Sequence, residues 1–295
     1  MKLLVTGAGG MLGRALAEEA EGVELVALDR AGLDVTDAEA VRRAVGQHAP
    51  AAVVNAAAYT AVDRAEAEPE RAFAVNRDGA AHLAVACAEA GLPLLHVSTD
   101  YVFDGAKGTP YQEGDAPNPL GVYGQSKWDG EEAVRAALDA HVIVRTAWLF
   151  GVHGQSFVKT ILRLAGERET LRVVADQRGC PTAAADLAAA LLRIAHAVTE
   201  DAGRWGTYHL AGHPPTTWHG LAEAVVEEAR RWRPLAVQSV EPIRTEDYPT
   251  AARRPSVVAL DGGKVERAFG IGAPPWRPAL GRVVARLCGA GQSAT

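Results

Sequence analysis

Residues 3–19 read LLVTGAGGMLGRALAEE, and this stretch predicts how the fold begins. Leu3–Val5 is a short apolar run, which favours a buried β-strand. Met11–Glu19 has apolar residues at helical spacing and predicts an α-helix. The glycine-rich turn Thr6–Gly13 joins the two, so we expect the chain to open with a strand, a tight turn and a helix.

The turn carries Gly7, Gly10 and Gly13, each three residues apart. A tight turn needs the backbone freedom of glycine, and the missing side chains let a pyrophosphate approach the backbone closely. The amides at the start of the following helix would then face the phosphates. A glycine pattern alone is weak evidence, but its place between a strand and a helix is the context that a dinucleotide-binding turn requires.

Alternation of strands and helices continues over the first half of the chain. Short apolar runs predict strands and longer amphipathic runs predict helices, which is the order of βαβ units. We therefore predict an α/β fold: a Rossmann-type doubly wound parallel sheet with a smaller C-terminal α/β substrate-binding lobe. The predicted strands are 23–28, 52–55, 94–97 and 142–144, and the predicted helices are 37–47, 69–90 and 130–138.

The regular alternation ends near residue 150, and we expect the domain organisation to change there. The dinucleotide-binding domain is predicted over 1–150, with later segments near 180–212 returning to it. Residues 151–295 are predicted to form mainly the substrate-binding lobe. Two further helices, 183–197 and 221–231, are expected in this half.

An acidic residue, Asp29, ends the second predicted strand. A carboxylate there would accept hydrogen bonds from the ribose hydroxyls of the adenosine, which favours NADH. Arg30 beside it could instead face the 2′-phosphate of NADPH, so the preference for NADH is slight. Asp34 and Val35, before the next helix, are candidates for the adenine side of the same site.

Polar residues follow the fourth predicted strand directly, as Ser98–Tyr101. They should therefore emerge at the carboxyl edge of the sheet, where ligands bind in such folds. Further along, Tyr123 and Lys127 are four residues apart and would share one face of a helix. A nearby ammonium favours the phenolate and would lower the pKa of the tyrosine. Thr99 could bind the same carbonyl oxygen and orient it.

The chain resembles the extended short-chain dehydrogenases and, within them, the dTDP-4-dehydrorhamnose reductase family. The similarity extends over nearly the whole chain, in the order typical of the family. The matching segments are the glycine turn, Asn55–Asp63, Ser98–Gly105, Tyr123–Lys127, Arg145–Gly151, Ser156–Thr160, Asp176–Gln177 with Gly179–Thr182, and Arg253–Pro255.

This resemblance implies the last step of dTDP-L-rhamnose synthesis, the reduction of the 4-keto group of dTDP-4-dehydro-L-rhamnose by NADH or NADPH. It implies Tyr123 as the proton donor, with Lys127 and Thr99 assisting. Thr99 and three other residues would meet the sugar or its nucleotide, namely Asp100, Trp148 and Arg253. The residues expected to line the cofactor, besides Gly7, Gly13, Asp29, Tyr123 and Lys127, are Gly10, Met11, Leu12, Asp34, Val35, Ala56, Ala57, Ala58 and Tyr59.

Two departures from the family pattern affect these expectations. Some relatives carry an acidic residue after the glycine turn that helps a metal to join two subunits, whereas this chain has Arg14–Ala15. We therefore predict no metal, and a homodimer remains possible. Ser156 replaces the usual asparagine before Phe157, with an effect on nucleotide contacts that the sequence does not define.

Two alternative functions stay open at this point. A nucleotide-sugar epimerase or dehydratase shares the glycine turn and the Tyr–Lys pair, but a dehydratase typically has Asp-Glu after the threonine, where this chain has Asp100–Tyr101. The regulatory subunit of methionine adenosyltransferase also resembles this family, and a chain of that kind would bind cofactor and a partner enzyme without turnover. The Ser98–Asp100 and Arg145–Trp148 segments favour catalysis.

Composition sets the broader limits. The 295 residues are 48% hydrophobic, enough for one large core and a smaller lobe, and the formal net charge of −6 argues against nucleic-acid binding. The three cysteines are Cys87, Cys180 and Cys288, and they lack the spacing of disulfide frameworks or zinc sites. We find no signal peptide and no apolar run long enough for a membrane span, and so expect a cytoplasmic protein.

Overall fold

The computed structural model describes residues 1–201 and 203–289, so the last six residues of the predicted lobe lie outside the described part. Its strands are β1 (Lys2–Thr6), β2 (Glu24–Leu28), β3 (Ala52–Asn55), β4 (Leu94–Thr99), β5 (His141–Thr146), β6 (Leu149–Phe150), β7 (Thr170–Val174), β8 (Arg178–Gly179), β9 (Thr182–Ala183), β10 (Gly206–His209), β11 (Thr216–Thr217) and β12 (Ser239–Ile243). Its helices are α1 (Met11–Glu19), α2 (Ala38–His48), α3 (Val62–Ala65), α4 (Pro69–Phe73), α5 (Gly79–Ala90), α6 (Val122–Ala137), α7 (Phe157–Glu167), α8 (Ala184–Glu200), α9 (Trp218–Arg230), α10 (Gly263–Phe269) and α11 (Trp276–Gly289).

A six-stranded parallel sheet forms the centre, in the order β2-β1-β3-β4-β5-β10. The predicted α/β fold with a doubly wound parallel sheet is confirmed. The strand order reverses between β1 and β3, and a crevice opens at the carboxyl ends of strands on either side of such a point. The residues that end β1, β3, β4 and β5 therefore lie at one edge of the sheet.

Apolar cores cover both faces of the sheet, which explains why its strands lack polar alternation. On one face, α1 and α8 pack over residues such as Val5, Val54 and Val144. On the other face, α2, α5 and α6 pack over residues such as Leu4 and Val53. The strand β10 and the helix α8, which come late in the chain, belong to this sheet domain rather than to the lobe.

A second core forms the lobe, where α7, α9 and α11 pack together and β7 pairs with β12 in parallel. The side chains of Leu162, Val225 and Leu280 are buried in this core. The two helices predicted in the second half are present as α8 and α9. The exact division at residue 150 stays a prediction.

The helix predicted over 69–90 is present, but it contains one π-helical turn, Ala74–Asp78, between α4 and α5. It ends at Gly91 in the left-handed conformation, with φ at 66°. The extra residue of a π turn changes which side chains face inward, and such turns are frequent at functional sites. Here the turn directs the buried side chain of Asn76 toward α6, where it donates a hydrogen bond to Ser126 Oγ at 3.0 Å.

The close approach of α6 to this π turn depends on glycine. A Cβ at Gly130 would lie 2.1 Å from the carbonyl oxygen of Asn76, a distance at which backbone must move. We expect Gly130→Ala to lower the free energy of unfolding by about 1–3 kcal/mol through overpacking. Gly46→Ala is the matched control, because Gly46 is exposed on α2 with open space around it.

Urea denaturation of the two variants tests this packing. Gly46→Ala should raise the free energy of unfolding by about 0.5–1 kcal/mol, because alanine loses less backbone entropy than glycine in a helix. Equal stability changes in the two variants would show that α6 does not depend on this contact.

Candidate active site

A cleft of about 900 Å³ opens at the carboxyl edge of the sheet and extends under the lobe. Its walls come from both parts of the molecule, as expected for a site that holds a cofactor on one side and a substrate on the other. The predicted site residues that line it are Gly10, Met11, Leu12, Ala56, Ala58, Thr99, Asp100, Tyr123, Lys127 and Trp148.

The glycine turn forms one end of the cleft. Gly7 has a φ of 71°, and a Cβ there would lie 2.6 Å from the amide nitrogen of Ala57. A Cβ at Gly13 would lie 2.5 Å from Cα of Ala8, so the turn and the start of α1 pack directly on one another. No side chain in the described part of the chain caps the N-terminus of α1, so its first amides can receive an anionic group.

Asp29 follows β2 and lies beside the glycine turn. A Cβ at Gly9 would come within 3.4 Å of the Cβ of Asp29. One oxygen of Asp29, Oδ1, accepts hydrogen bonds from the amides of Ala31 and Gly32, both at 3.0 Å. These bonds fix the carboxylate at the rim of the turn.

Asp34 and Val35 lie farther from the cleft. Asp34 forms an ion pair with Arg30 at 3.5 Å, and hydrogen bonds from Thr36 hold the pKa of its carboxyl below the usual range. Val35 is buried, and a Cβ added to Gly79 would come within 2.7 Å of its side chain. Neither residue lines the cleft, so their contact with adenine stays a prediction.

The loop after β3 is held by side chains rather than by its own backbone. The amide of Ala57 donates to Asn55 Oδ1 at 3.1 Å, and the amide of Tyr59 donates to Asn76 Oδ1 at 2.8 Å. The hydroxyl of Tyr59 donates to Glu68 at 2.9 Å. Tyr59 thus serves to position the loop, and Ala56 and Ala58 are the members of this stretch that line the cleft.

Tyr123 and Lys127 lie one turn apart near the start of α6, as predicted. Burial raises the pKa of Tyr123 to about 12, although hydrogen bonding with the Thr99 side chain lowers it in part. The predicted lowering of this pKa by Lys127 is therefore wrong for the structure. The physical reason is that burial opposes the charge of the phenolate, while the amine of Lys127 is directed elsewhere: its Nζ donates to the carbonyl oxygen of Val97 at 2.8 Å.

Burial also favours the neutral forms of two other ionisable groups in the cleft wall, Lys127 and Asp100. The pKa of Lys127 falls to about 8 because burial opposes the charge, although Glu131 opposes this shift. The pKa of Asp100 rises to about 7 for the same reason, against a hydrogen bond that Thr99 Oγ1 donates to Asp100 Oδ1 at 3.2 Å. Burial therefore favours the neutral forms of Tyr123, Lys127 and Asp100, which line the cleft wall between β4 and α6.

Beneath this wall lies a buried ion pair that the sequence analysis did not identify. Glu131, one turn after Lys127, accepts hydrogen bonds from Arg145 at 2.7 and 2.9 Å and from Ser98 at 2.6 Å. Burial opposes ionisation of Glu131, but these bonds hold the pKa of its carboxyl below the usual range. The pair ties α6 to β4 and β5. The helical spacing of 123, 127 and 131 was the available signal.

Trp148 follows β5 in the wall of the cleft and has a strained backbone conformation, with a φ of 45°. Its ring stacks on Trp218 of α9, with 3.5 Å between ring centroids and 7° between planes. Gly179 leaves room for the same ring, because a Cβ there would lie 2.3 Å from it. The stack joins the two halves of the cleft, and Trp218 was not predicted.

Arg253 was predicted to meet the substrate, but the structure places it at the exposed surface, beside a small separate pocket. The neighbouring Arg254 lines the main cleft instead. Its guanidinium donates to both carboxylate oxygens of Asp63, at 3.0 and 2.7 Å. Adjacent residues of an extended loop point to opposite sides, so the sequence alone could not choose between the two arginines.

The described residues contain neither a cluster of metal ligands nor a membrane-spanning helix. Within 1–201 and 203–289, no group of three or more histidines, cysteines or carboxylates is placed to hold a metal ion. No helix in the same ranges is long and apolar enough to cross a membrane. The absence of a metal and the cytoplasmic location stay predictions.

The sequence is similar to one family of known proteins over its whole length. The family model described as the RmlD substrate binding domain matches residues 1–288. A dTDP-4-dehydrorhamnose reductase of Sinorhizobium fredii is 44% identical in an alignment of 299 positions that covers 100% of each chain. The chain belongs to the dTDP-4-dehydrorhamnose reductase family. The predicted resemblance and the predicted enzyme class, a reductase, are confirmed.

Solved structures of dTDP-4-dehydrorhamnose reductases share this fold. The enzyme of Clostridium acetobutylicum matches with a TM-score of 0.90 at 35% identity, covering 97% of this chain and 99% of its own. The enzyme of Bacillus anthracis, solved in complex with NADP, matches with a TM-score of 0.89 at 36% identity, with the same coverage. The structural similarity therefore covers both the sheet domain and the lobe.

The pH dependence of stability tests whether burial raises the pKa of Asp100. Its raised pKa means that the folded chain holds this proton more tightly than the unfolded chain, so stability falls as the pH rises from about 4 to 7. Asp100→Asn removes the buried charge. We expect its gain in unfolding free energy over the wild type to be about 2–4 kcal/mol larger at pH 8 than at pH 5.

Urea denaturation at the two pH values measures this difference. Asp104→Asn is the control, because hydrogen bonds from the Ala106 amide and the Tyr111 and Asn118 side chains lower the pKa of Asp104. That variant should lose stability at both pH values. An Asp100→Asn effect that does not change with pH would contradict the assignment.

Proposed function

We propose that this chain reduces the 4-keto group of dTDP-4-dehydro-L-rhamnose to give dTDP-L-rhamnose, with NADH or NADPH as the reductant. One observation carries the proposal: a single cleft brings the glycine turn, the Thr99–Tyr123–Lys127 group and Trp148 together. Relatives named dTDP-4-dehydrorhamnose reductase, at 44% identity over the full chain, support the choice of substrate.

The cleft fits a nicotinamide dinucleotide. The glycine turn leaves the start of α1 bare for a pyrophosphate, and Met11 and Leu12 line the adjoining wall. Thr146 also lines the cleft, and its buried Oγ1 is a side-chain atom without a hydrogen-bond partner among the described residues. An orphaned hydroxyl of this kind indicates that a polar ligand group completes the site.

The proposed reaction uses the protonated phenol of Tyr123. A reduced nicotinamide supplies a hydride when it is bound, and the hydride adds to C4 of the sugar. The carbonyl oxygen takes the proton of Tyr123, so the ketone becomes a secondary alcohol. A pKa of about 12 keeps the phenol protonated at neutral pH, which is the form that a proton donor needs.

The remaining side chains orient the sugar and exclude water. Thr99 Oγ1 lies beside the phenol and can donate to the same carbonyl oxygen. Trp148, fixed by its stack on Trp218, offers a flat apolar face to the sugar ring. Arg254, paired with Asp63, adds positive charge to the cleft wall, which suits a diphosphate-linked substrate.

For the cofactor, the contacts favour NADH. Asp29 Oδ2 is not used by the amides of Ala31 and Gly32, which both bind Oδ1, so it can accept from a ribose hydroxyl. Arg30, the residue that could face a 2′-phosphate, is paired with Asp34 at 3.5 Å. Because the Bacillus anthracis relative was solved with NADP, the test must include both cofactors.

The assay supplies dTDP-6-deoxy-4-ketohexose, with and without the upstream 3,5-epimerase, and follows the absorbance of NADH or NADPH. Tyr123→Phe should lower kcat about 10²–10⁴-fold, because it removes the proton donor. Tyr208→Phe is the control, since its buried hydroxyl donates to the Arg204 carbonyl outside the cleft. Oxidation of neither cofactor, with binding intact, would exclude this reaction and direct attention to other nucleotide sugars or a protein partner.

Cofactor preference has its own test in Asp29→Asn. Loss of a charged acceptor costs about 1.5–3 kcal/mol, so kcat/KM for NADH should fall about 10–150-fold while kcat/KM for NADPH stays the same or rises. Glu24→Gln is the control, because Glu24 lies at the opposite end of β2 and pairs with Lys2. An equal fall with both cofactors would contradict a ribose contact by Asp29.

A further inference from the structure

A row of buried polar side chains crosses the sheet below the cleft. Thr6, Asn55 and His96 are register partners on the neighbouring strands β1, β3 and β4, so their side chains share one face. Thr6 Oγ1 donates to Asn55 Oδ1 at 2.7 Å, and Asn55 Nδ2 lies 3.0 Å from His96 Nδ1. His96 Nε2 in turn lies 3.4 Å from Nζ of Lys127. Each of the four residues is buried.

The hydrogen bonds fix the orientation of the Asn55 amide. The backbone amide of Ala57 can only donate, and it lies 3.1 Å from the side-chain oxygen of Asn55. The NH₂ group of Asn55 must therefore face His96 and donate to Nδ1. A nitrogen that accepts carries no proton, so a neutral His96 has its single proton on Nε2.

His96 is held in the neutral form. Burial lowers its pKa well below the usual range, and the positive charge of Arg135 acts in the same direction. The Nε2–H group of His96 therefore points toward Nζ of Lys127. Two N–H groups facing each other would repel if Lys127 were an ammonium ion.

The hydrogen-bond partners of Lys127 also favour a neutral amine. Among the described residues, its Nζ contacts the Val97 carbonyl at 2.8 Å and His96 Nε2 at 3.4 Å. A neutral amine satisfies both, because one N–H donates to Val97 and the lone pair accepts from His96. An ammonium ion would have no lone pair for His96 and would carry further N–H groups without a protein acceptor.

We propose that Asn55 and His96 are positioning residues that hold Lys127 partly as a free amine near neutral pH, by locking the proton of His96 on Nε2. The proposal goes beyond the proposed function and does not rest on it, because it concerns the protonation state of Lys127 in the chain without ligands. The hydrogen-bond arrangement itself belongs to the chain without ligands.

The charged groups around Lys127 agree with this assignment. On its own helix, Glu131 favours the ammonium form, but that carboxylate is already paired with Arg145 of β5 and with Arg135. Burial outweighs its effect and lowers the pKa of Lys127 to about 8. The strand β4 contributes His96, which is neutral, and the cleft side contributes Tyr123 and Asp100, whose neutral forms are favoured by burial.

The first measurement uses the wild-type chain without ligands. Nitrogen-15 NMR of histidine-labelled protein reports which ring nitrogen of each of the nine histidines carries the proton. His96→Phe assigns the signal by its loss. We expect Nδ1 of His96 without a proton and Nε2 with one at pH 7. A protonated Nδ1 would overturn the proposal.

The second measurement follows Lys127 directly. The chain has five lysines, Lys2, Lys107, Lys127, Lys159 and Lys264, so carbon-13 labelling at Cε gives few signals, and Lys127→Arg assigns the one that matters. Lys127 should titrate with a midpoint near 8, against about 10.4 for an ordinary lysine. Titration together with the other four would overturn the proposal.

A variant that reverses the tautomer tests the cause. In Asn55→Asp, a carboxylate oxygen replaces the NH₂ group and accepts a proton from Nδ1, so Nε2 becomes an acceptor for an ammonium ion. The midpoint of Lys127 should rise by about one unit or more, a tenfold change in its ionisation constant. An unchanged or lower midpoint would contradict the proposal.

The double variant Asn55→Asp with His96→Phe is the matched control for simple charge attraction. If the carboxylate acts through the tautomer of His96, its effect on Lys127 should largely disappear when the ring nitrogens are absent. The same rise in both backgrounds would assign the effect to the added charge and overturn the proposal. If the phenylalanine variants do not fold, the ring signals of His96 are assigned through its backbone resonances in the wild-type chain, and the tautomer seen there still decides.

These measurements separate the two proposals. A locked Nε2–H tautomer in a chain that does not reduce the ketosugar would contradict only the proposed function. A working reductase in which His96 carries its proton on Nδ1 would contradict only the present inference.

Discussion

A buried ion pair between Glu131 and Arg145 determines where the active-site helix lies on the sheet. Both side chains are fully buried, and together with Ser98 they connect α6 to β4 and β5. Removing one partner of such a pair typically costs about 3–5 kcal/mol, because the other charge is left uncompensated. Tyr123 and Lys127 are on the same face of α6, two turns and one turn before Glu131, so the ion pair also fixes their distance from the strand ends.

Desolvation is the second constraint, and it follows from this close packing. Lys127 and Asp100 are buried and Tyr123 is half-buried, and burial favours the neutral form of each. In the proposed reaction this preference has a use, because a sugar ketone needs a neutral proton donor rather than a phenolate. The same burial makes hydrogen bonds such as those of Asn55 and His96 effective, since no solvent competes with them.

The cleft is completed by contacts between the sheet domain and the lobe. Trp148, at the end of the sheet, stacks on Trp218 of α9, and Arg254 of the lobe side pairs with Asp63 beside the loop after β3. Aromatic stacking and a two-point ion pair both fix orientation as well as distance. The position of the substrate side is therefore set by contacts between residues far apart in the chain.

The sequence by itself determined the fold class and identified ten of the residues that line the cleft. The glycine turn, the alternating strands and helices, and the spacing of Tyr123 and Lys127 are local patterns, and local backbone physics gives them their meaning. Tertiary structure alone decided the rest. The pairing of Asn55 with His96 depends on strand register, the choice of Arg254 over Arg253 depends on the path of a loop, and the raised pKa of Tyr123 depends on burial. Each of these is a relation between distant segments, and one sequence contains no local signal for the distance between them.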